Sequence, residues 1–98
     1  MKKLEAKDLF ELKHGDRVYR WEGGNFRKLD FVAPMPKVGG GYLIFCDGEY
    51  LTHLFIDHQG CYKGEWYSGE YDSKFVGNLM IEGLQKRIES VKRVYLDD

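Results

Sequence analysis

Tyr42-Leu43-Ile44-Phe45-Cys46-Asp47-Gly48-Glu49-Tyr50-Leu51-Thr52-His53-Leu54-Phe55-Ile56 reads as two strands joined by a tight turn. Asp-Gly between two apolar, aromatic-rich runs is a strong hairpin signal, because a type I′ turn needs positive φ at both central positions. Taken as a two-residue turn, Asp47-Gly48 sets Cys46 opposite Glu49 and Tyr42 opposite His53. A chain that commits its middle to antiparallel pairing extends outward as a meander, and the flanking segments are read on that basis.

Upstream, residues 16–21 and 25–33 read as a second hairpin around Gly23-Gly24. With those glycines as a two-residue turn, Trp21 faces Phe26, Val18 faces Leu29 and Arg20 faces Arg27. Pro34-Met35-Pro36-Lys37-Val38-Gly39-Gly40-Gly41 reads as a connecting loop, since proline removes donors and glycine frees the backbone. Downstream, Asp57-His58-Gln59-Gly60 turns the chain into a strand at 61–67, with a short strand expected at 70–76. Residues 5–13 carry helix formers with Leu9 and Leu12 at helical spacing, ended by Gly15. Met80, Leu84, Ile88, Val91 and Tyr95 form one stripe at i+3 and i+4. They predict a helix over about 78–91 whose apolar face covers the sheet, with 91–96 as the end of that helix or a last strand. The expected class is mostly β (β+α): an antiparallel meander or small barrel of five to six strands, a short N-terminal helix, and a C-terminal helix on the sheet.

Length and composition bound the rest. At 98 residues, one domain over 1–98 is the expectation. Aromatics reach 15%, which favours pleated, half-buried surfaces. The formal net charge of −1 argues against a dedicated duplex-DNA binder. The charge is unevenly spread: residues 1–37 are net +3, residues 38–72 net −5 and residues 73–98 net +1. No apolar run approaches the ~20 residues of a membrane span, so no membrane partner is expected. The start shows no signal-peptide pattern, so Cys46 and Cys61 are read as reduced thiols of a cytoplasmic protein.

Leu12-Lys13-His14-Gly15-Asp16-Arg17-Val18-Tyr19-Arg20 resembles the opening of the first strand in many SH3-like small barrels, which often read Leu-Lys-x-Gly-Asp-x-Val-x. The likeness covers about a tenth of the chain and implies a fold type. Such barrels host protein, peptide and RNA binders, so no single function follows from it.

Candidate chemistry narrows quickly. Cys46, His53, His58 and Cys61 have the composition of a Cys2His2 zinc site. Their Cys-x6-His-x4-His-x2-Cys spacing is not a standard finger, and the expected register puts Cys46 and His53 four strand residues apart, roughly 13 Å at ~3.3 Å per residue. Cys61 falls opposite Ile56, at the far end of the same strand, which argues against a Cys46–Cys61 disulfide whose Cα atoms should lie within about 7 Å. Cys61 with His58 could form a thiol–base pair, but nothing marks an oxyanion hole or an orienting third residue. Gly39-Gly40-Gly41 lacks the Gly-Lys-Ser/Thr ending of a phosphate loop. No cofactor is expected.

The most informative patch is the first hairpin. Arg17, Tyr19, Arg20, Trp21, Phe26, Arg27 and Lys28 place four cations and three aromatic rings in twelve residues. Trp66 and Tyr67 add aromatics on both faces of a later strand. The directly opposed Arg20 and Arg27 call for a three-residue loop that shifts the register or for a shared anion, because like charges facing across a sheet destabilise it. Arginine with exposed aromatics is the composition of protein hot spots and of single-strand nucleic-acid grooves; ordinary packing accounts for it as well. The leading expectation is a non-catalytic protein-binding module, self-association included, acting through this hairpin. The alternatives are single-stranded nucleic-acid or nucleotide binding through the same residues, and a small thiol or hydrolytic enzyme.

Overall fold

The computed structural model describes residues 1–22 and 24–96. Its elements in chain order are β1 (Lys2–Lys3), α1 (Ala6–Phe10), β2 (Arg17–Glu22), β3 (Asn25–Lys37), β4 (Gly40–Asp47), β5 (Tyr50–Asp57), β6 (Glu65–Ser68) and α2 (Ser73–Leu96). The strands form one antiparallel six-stranded sheet in the order β1-β6-β2-β3-β4-β5. The sheet does not close, so β5 is a free edge strand. No helix among the described residues is long and apolar enough to cross a membrane.

The β2–β3 register follows the alternation: Trp21 faces Phe26, Arg20 faces Arg27 and Val18 faces Leu29. The β4–β5 hairpin departs from expectation by one pair. Asp47 faces Tyr50 and the turn residues are Gly48 and Glu49. Gly48 has φ of 62° and no non-glycine among the described residues has positive φ, so a turn requiring two left-handed residues does not form at Asp47-Gly48. Cys46 therefore faces Leu51, and His53 faces Ile44.

The expected Pro-Gly loop is also mostly strand. β3 runs through Pro34 and Pro36, and β4 begins at Gly40, leaving Val38-Gly39 as the turn. β2 pairs with β3 as far as Asp30, and the turn before β2 bonds Phe31 and Val32 through Gly15, Asp16 and His14, so from Ala33 onward β3 is bonded to β4 on one side and open on the other. An edge tolerates proline's missing N–H.

Side-chain alternation gives the sheet two faces. Val18, Leu29, Phe31, Leu43, Phe45, Leu54, Ile56 and Trp66 fill one, and Leu4 and Leu9 close over them from the N-terminal segment. Trp66 lies against Phe45 with ring centroids 4.8 Å apart, and Phe31 meets Phe45 edge-on at 5.5 Å. The Tyr62 hydroxyl donates to the Leu4 carbonyl at 2.9 Å, and the Leu4 N–H donates to the Trp66 carbonyl at 2.7 Å. These bonds tie the short α1 plug to the strand it covers.

The C-terminal helix starts earlier than expected and replaces the strand expected at 70–76. Asp72 Oδ1 accepts from the N–H groups of Lys74 (3.0 Å) and Phe75 (3.3 Å), so it caps the first turn. Helix continues through 91–96, where a final strand was the alternative. Its docking also differs from expectation. Phe75 packs on Tyr67 at 5.3 Å and Val76 is buried, but each of residues 81–90 is exposed, with only the turn at Gly83 lying near Trp21. Met80, Leu84 and Ile88, expected on the sheet, face solvent.

Candidate functional site

The period-2 alternation divides the Arg/aromatic hairpin between the two faces. Arg17, Tyr19, Trp21, Phe26 and Lys28 project to the outer face, which α2 partly covers; Arg20 and Arg27 project to the core face. Across the sheet, Tyr67 joins the outer set and Trp66 the inner set.

On the core face, the opposed arginines share no anion. Arg20 Nη2 lies 2.6 Å from Glu22 Oε2, and its guanidinium sits 5.3 Å above the Trp66 ring. Arg27 Nη2 pairs with Asp47 Oδ2 at 3.1 Å. Each positive charge is balanced by its own carboxylate, which is how the two-residue turn and its register survive. Trp66 is 0% exposed and its Nε1–H donates to the Lys63 carbonyl at 3.0 Å. It is therefore a core residue, not part of a contact surface.

On the outer face, Tyr19 and Phe26 stack with centroids 5.5 Å apart and planes 15° off parallel. Tyr71 leans on both, at 5.9 and 6.2 Å, and Tyr67 meets Phe26 at 6.0 Å. Tyr19 and Tyr67 are buried, at 6% and 3% exposed. Burial, with the hydrogen bond that the Tyr67 hydroxyl donates to Glu65 at 2.7 Å, holds the Tyr67 phenol far above the ordinary tyrosine range. Arg17 is paired with Asp30 at 3.2 Å. The shallow groove lined by Arg17, Tyr19, Phe26, Lys28 and Tyr71 thus offers few free partners: its rings stack on one another, and of its two cations Arg17 is paired and only Lys28 has no ion pair among the described residues.

Beside it lies a second groove, lined by Trp21, Gly24, Met80, Gly83, Leu84 and Arg87. Trp21 is half-buried there. A Cβ on Gly83 would stand 3.8 Å from the indole Cζ2, so the bare backbone of this turn lies close to the ring. The groove opens onto the exposed stripe of α2: Met80 is 44%, Ile81 54%, Leu84 57% and Ile88 54% exposed. The sequence showed three of these residues but assigned them to the core; spacing alone identifies an apolar stripe, not what covers it.

A third uncovered area was not foreseen. Beyond the reach of α2, the outer face carries the cross-strand rows Met35–Tyr42–Phe55, Ala33–Ile44–His53 and Asp30–Cys46–Leu51. Leu51 is 71%, Met35 51% and Phe55 39% exposed. The available signal was apolar residues at both parities of β5, which one buried face does not require.

The cysteine–histidine set does not assemble. Both cysteines are free, and no three His, Cys, Asp or Glu side chains converge among the described residues. The corrected register brings Cys46 and His53 within two strand positions on one face, nearer than expected, without a third ligand. His58 is engaged elsewhere, its Nδ1 lying 3.1 Å from the Gly39 carbonyl oxygen.

Comparisons of the chain with protein-family models, with curated proteins and with solved structures return no match.

Proposed function

We propose that the chain is a non-catalytic protein-binding module whose contact surface is the Trp21 groove and the α2 stripe continuous with it. The observation that carries this reading is the exposure of Met80, Ile81, Leu84 and Ile88 along one helix face. A contiguous apolar surface rimmed by polar residues marks an interaction site, because removing apolar area from water is favourable. Trp21 and Arg87 at its margin are of the residue types that dominate protein hot spots.

Nucleic-acid binding through the hairpin is the weaker reading. Base stacking needs an open aromatic face, whereas Tyr19 and Phe26 stack on each other and Arg17 is neutralised by Asp30.

The test is selection of binders from a displayed library of folded protein fragments, with wild type and Leu84→Asp as baits. The expected result is fragments that bind wild type and lose about tenfold or more in affinity, roughly 1.4 kcal/mol, on Leu84→Asp. Binders indifferent to the substitution, or none, would overturn the reading.

A further inference from the structure

We propose that the open edge of β5 binds an extended peptide segment of another protein, which adds a seventh strand to the sheet and sets an acidic side chain beside Arg20 and Lys63. This site lies apart from the α2 stripe and goes beyond the reading above.

Hairpin geometry fixes which backbone groups the edge offers. Gly48-Glu49 is a two-residue turn with its glycine first and at positive φ, the type II′ pattern. The flanking Asp47–Tyr50 is then a hydrogen-bonded pair, and such pairs recur at every second residue. Tyr50, Thr52, Leu54 and Ile56 therefore bond to β4, while Leu51, His53, Phe55 and Asp57 turn their N–H and C=O groups outward. The Asp57 N–H agrees with this parity, since it donates to the Cys61 carbonyl at 3.1 Å. The chain thus makes the first bond of a further strand itself and then leaves the edge. Among the described residues no strand pairs with Leu51, His53 or Phe55 on that side.

Other open edges of this sheet are blunted, and this one is not. β1 is two residues long and both are lysine. The open part of β3 carries Pro34 and Pro36, which offer no donor. Short length, lysine and proline are devices that keep an edge from pairing with a foreign strand. β5 runs for eight residues, pairs with β4 without a bulge, and holds no Pro, Gly, Lys or Arg; its only carboxylate is Asp57, at its end. An unprotected edge of that length is a template for main-chain pairing, the basis of peptide recognition by strand addition.

A cleft of about 570 Å³ adjoins the same residues, within the size range of ligand pockets. His53, Leu54 and Phe55 of β5 line it with Cys61 and Lys63, which follow the turn, and Arg20 of β2. No carboxylate lines it. Glu22, which holds Arg20 Nη2, lies outside the lining, and Lys63 has no ion pair among the described residues. The cleft is therefore positive and selects an anionic group. Alternation says where that group sits on the incoming strand. Arg20 and Leu54 share the core face, so the incoming residue opposite Leu54 points towards the cations. Its neighbours in sequence point to the outer face, beside Leu51 and Phe55, which are 71% and 39% exposed and favour apolar side chains. The partner segment reads apolar–acidic–apolar.

The experiment is selection on wild type from a displayed library of random nine-residue linear peptides, followed by calorimetry with the selected peptides made synthetically. Peptides with an acidic residue between apolar neighbours are expected. They should lose about tenfold or more in affinity on Lys63→Glu and bind Leu84→Asp as tightly as wild type. Lys63 is exposed, and circular dichroism checks that the variant folds. Methylating the peptide's backbone nitrogens one at a time leaves the protein untouched. Methylation at alternate residues should abolish binding, and methylation at the residues between should spare it. Amide exchange at Leu51, His53 and Phe55 should slow in the complex, while that at Thr52 and Leu54, already bonded to β4, should change little. A selection that yields no such peptide, binding indifferent to Lys63→Glu or to backbone methylation, or binding that Leu84→Asp removes would overturn the inference. Slowed exchange of the same three amides with rising protein concentration, in the absence of peptide, would overturn the choice of partner in favour of a second copy. Failure on any of these counts leaves the α2 reading to its own fragment selection.

Discussion

Arg20 and Arg27 face each other across β2 and β3, yet each guanidinium is held by a different carboxylate, Glu22 for the first and Asp47 for the second. The two pairs differ in setting. The Arg20 side chain is only 12% exposed and its Nε is buried without a partner among the described residues, whereas Arg27 is 43% exposed. Removing the carboxylate from a largely buried cation costs more than removing it from a solvated one. Glu22→Gln is therefore expected to destabilise by about 1–2 kcal/mol and Asp47→Asn by less than about 1 kcal/mol. Urea unfolding of the two variants checks the order; equal losses would mean that Arg20 is as well solvated as Arg27.

The triple glycine offers a sharper contrast. A Cβ at Gly40 would run into the Ile56 carbonyl oxygen and come within 2.8 Å of Asp57 Cα, both backbone atoms of the paired strand. A Cβ at Gly39 meets nothing within 4 Å, although its φ of 87° is strained for any other residue. Gly40→Ala must separate β4 from β5 and is expected to cost several kcal/mol, about 3 or more, in line with overpacking at an unyielding site. Gly39→Ala bears only the left-handed strain, about 1–2 kcal/mol. Thermal unfolding of the pair, followed by far-ultraviolet circular dichroism, ranks them; a milder Gly40→Ala would show the hairpin to be loosely paired there.

These glycines show what the sequence does and does not reveal. The β2–β3 register was readable from the alternation that buries Val18 and Leu29 together, but the facing Arg20 and Arg27 argued for a shifted register or a shared anion, and the separate carboxylates of Glu22 and Asp47 that make both unnecessary were not foreseen. The β4–β5 register was misjudged by one pair, since Asp47 and Gly48 look alike to a turn rule while only Gly48 adopts positive φ. Pro34 and Pro36 read as loop because a sequence does not reveal that pairing on the β2 side stops at Val32 and leaves the rest of β3 an open edge. The α2 stripe was visible; its exposure was not, because it depends on where the helix is anchored. The hairpin cluster was likewise visible as composition, but which rings stack inward depends on Tyr71 arriving from fifty residues downstream.

Alkaline pH should unfold the protein in a tyrosine-dependent way. The folded phenols of Tyr67 and Tyr62 are both raised from the ordinary 10.0, burial being the largest cause in each. Below pH 10 both states keep the proton and the full stability is present. Above pH 10 the unfolded chain releases protons that the folded chain retains, so stability falls as pH rises. The midpoint temperature is expected to decline between pH 10 and 11 more steeply in wild type than in Tyr67→Phe. Parallel slopes would show that Tyr67 ionises freely in the folded state.

Gly83 sits in the middle of α2, where glycine costs about 1 kcal/mol relative to alanine. The space for a methyl group exists, because the nearest atom to its Cβ, Trp21 Cζ2, is at ordinary contact distance of 3.8 Å. Gly83→Ala is expected to raise stability by about 0.5–1 kcal/mol and to hold the helix more firmly against the indole. A loss of stability in chemical denaturation would mean that Trp21 approaches the helix more closely than this distance allows.

The two tryptophans occupy opposite environments, and that makes the proposed contact surface measurable without knowing what binds it. Trp66 is fully enclosed, while Trp21 lies half-buried beside Leu84 and Arg87. A soluble quencher such as iodide should therefore reach Trp21 and spare Trp66, and Trp21→Phe should abolish most of the quenchable emission while leaving the fold intact. Anything that covers the α2 stripe shields Trp21 as well, so quenching of wild type should fall as its occupant is added or as self-association proceeds. The Leu84→Asp variant should remain quenchable throughout. If quenching persists unchanged when the stripe is occupied, the groove at Trp21 and the stripe on α2 are separate surfaces, and the hairpin takes no part in binding.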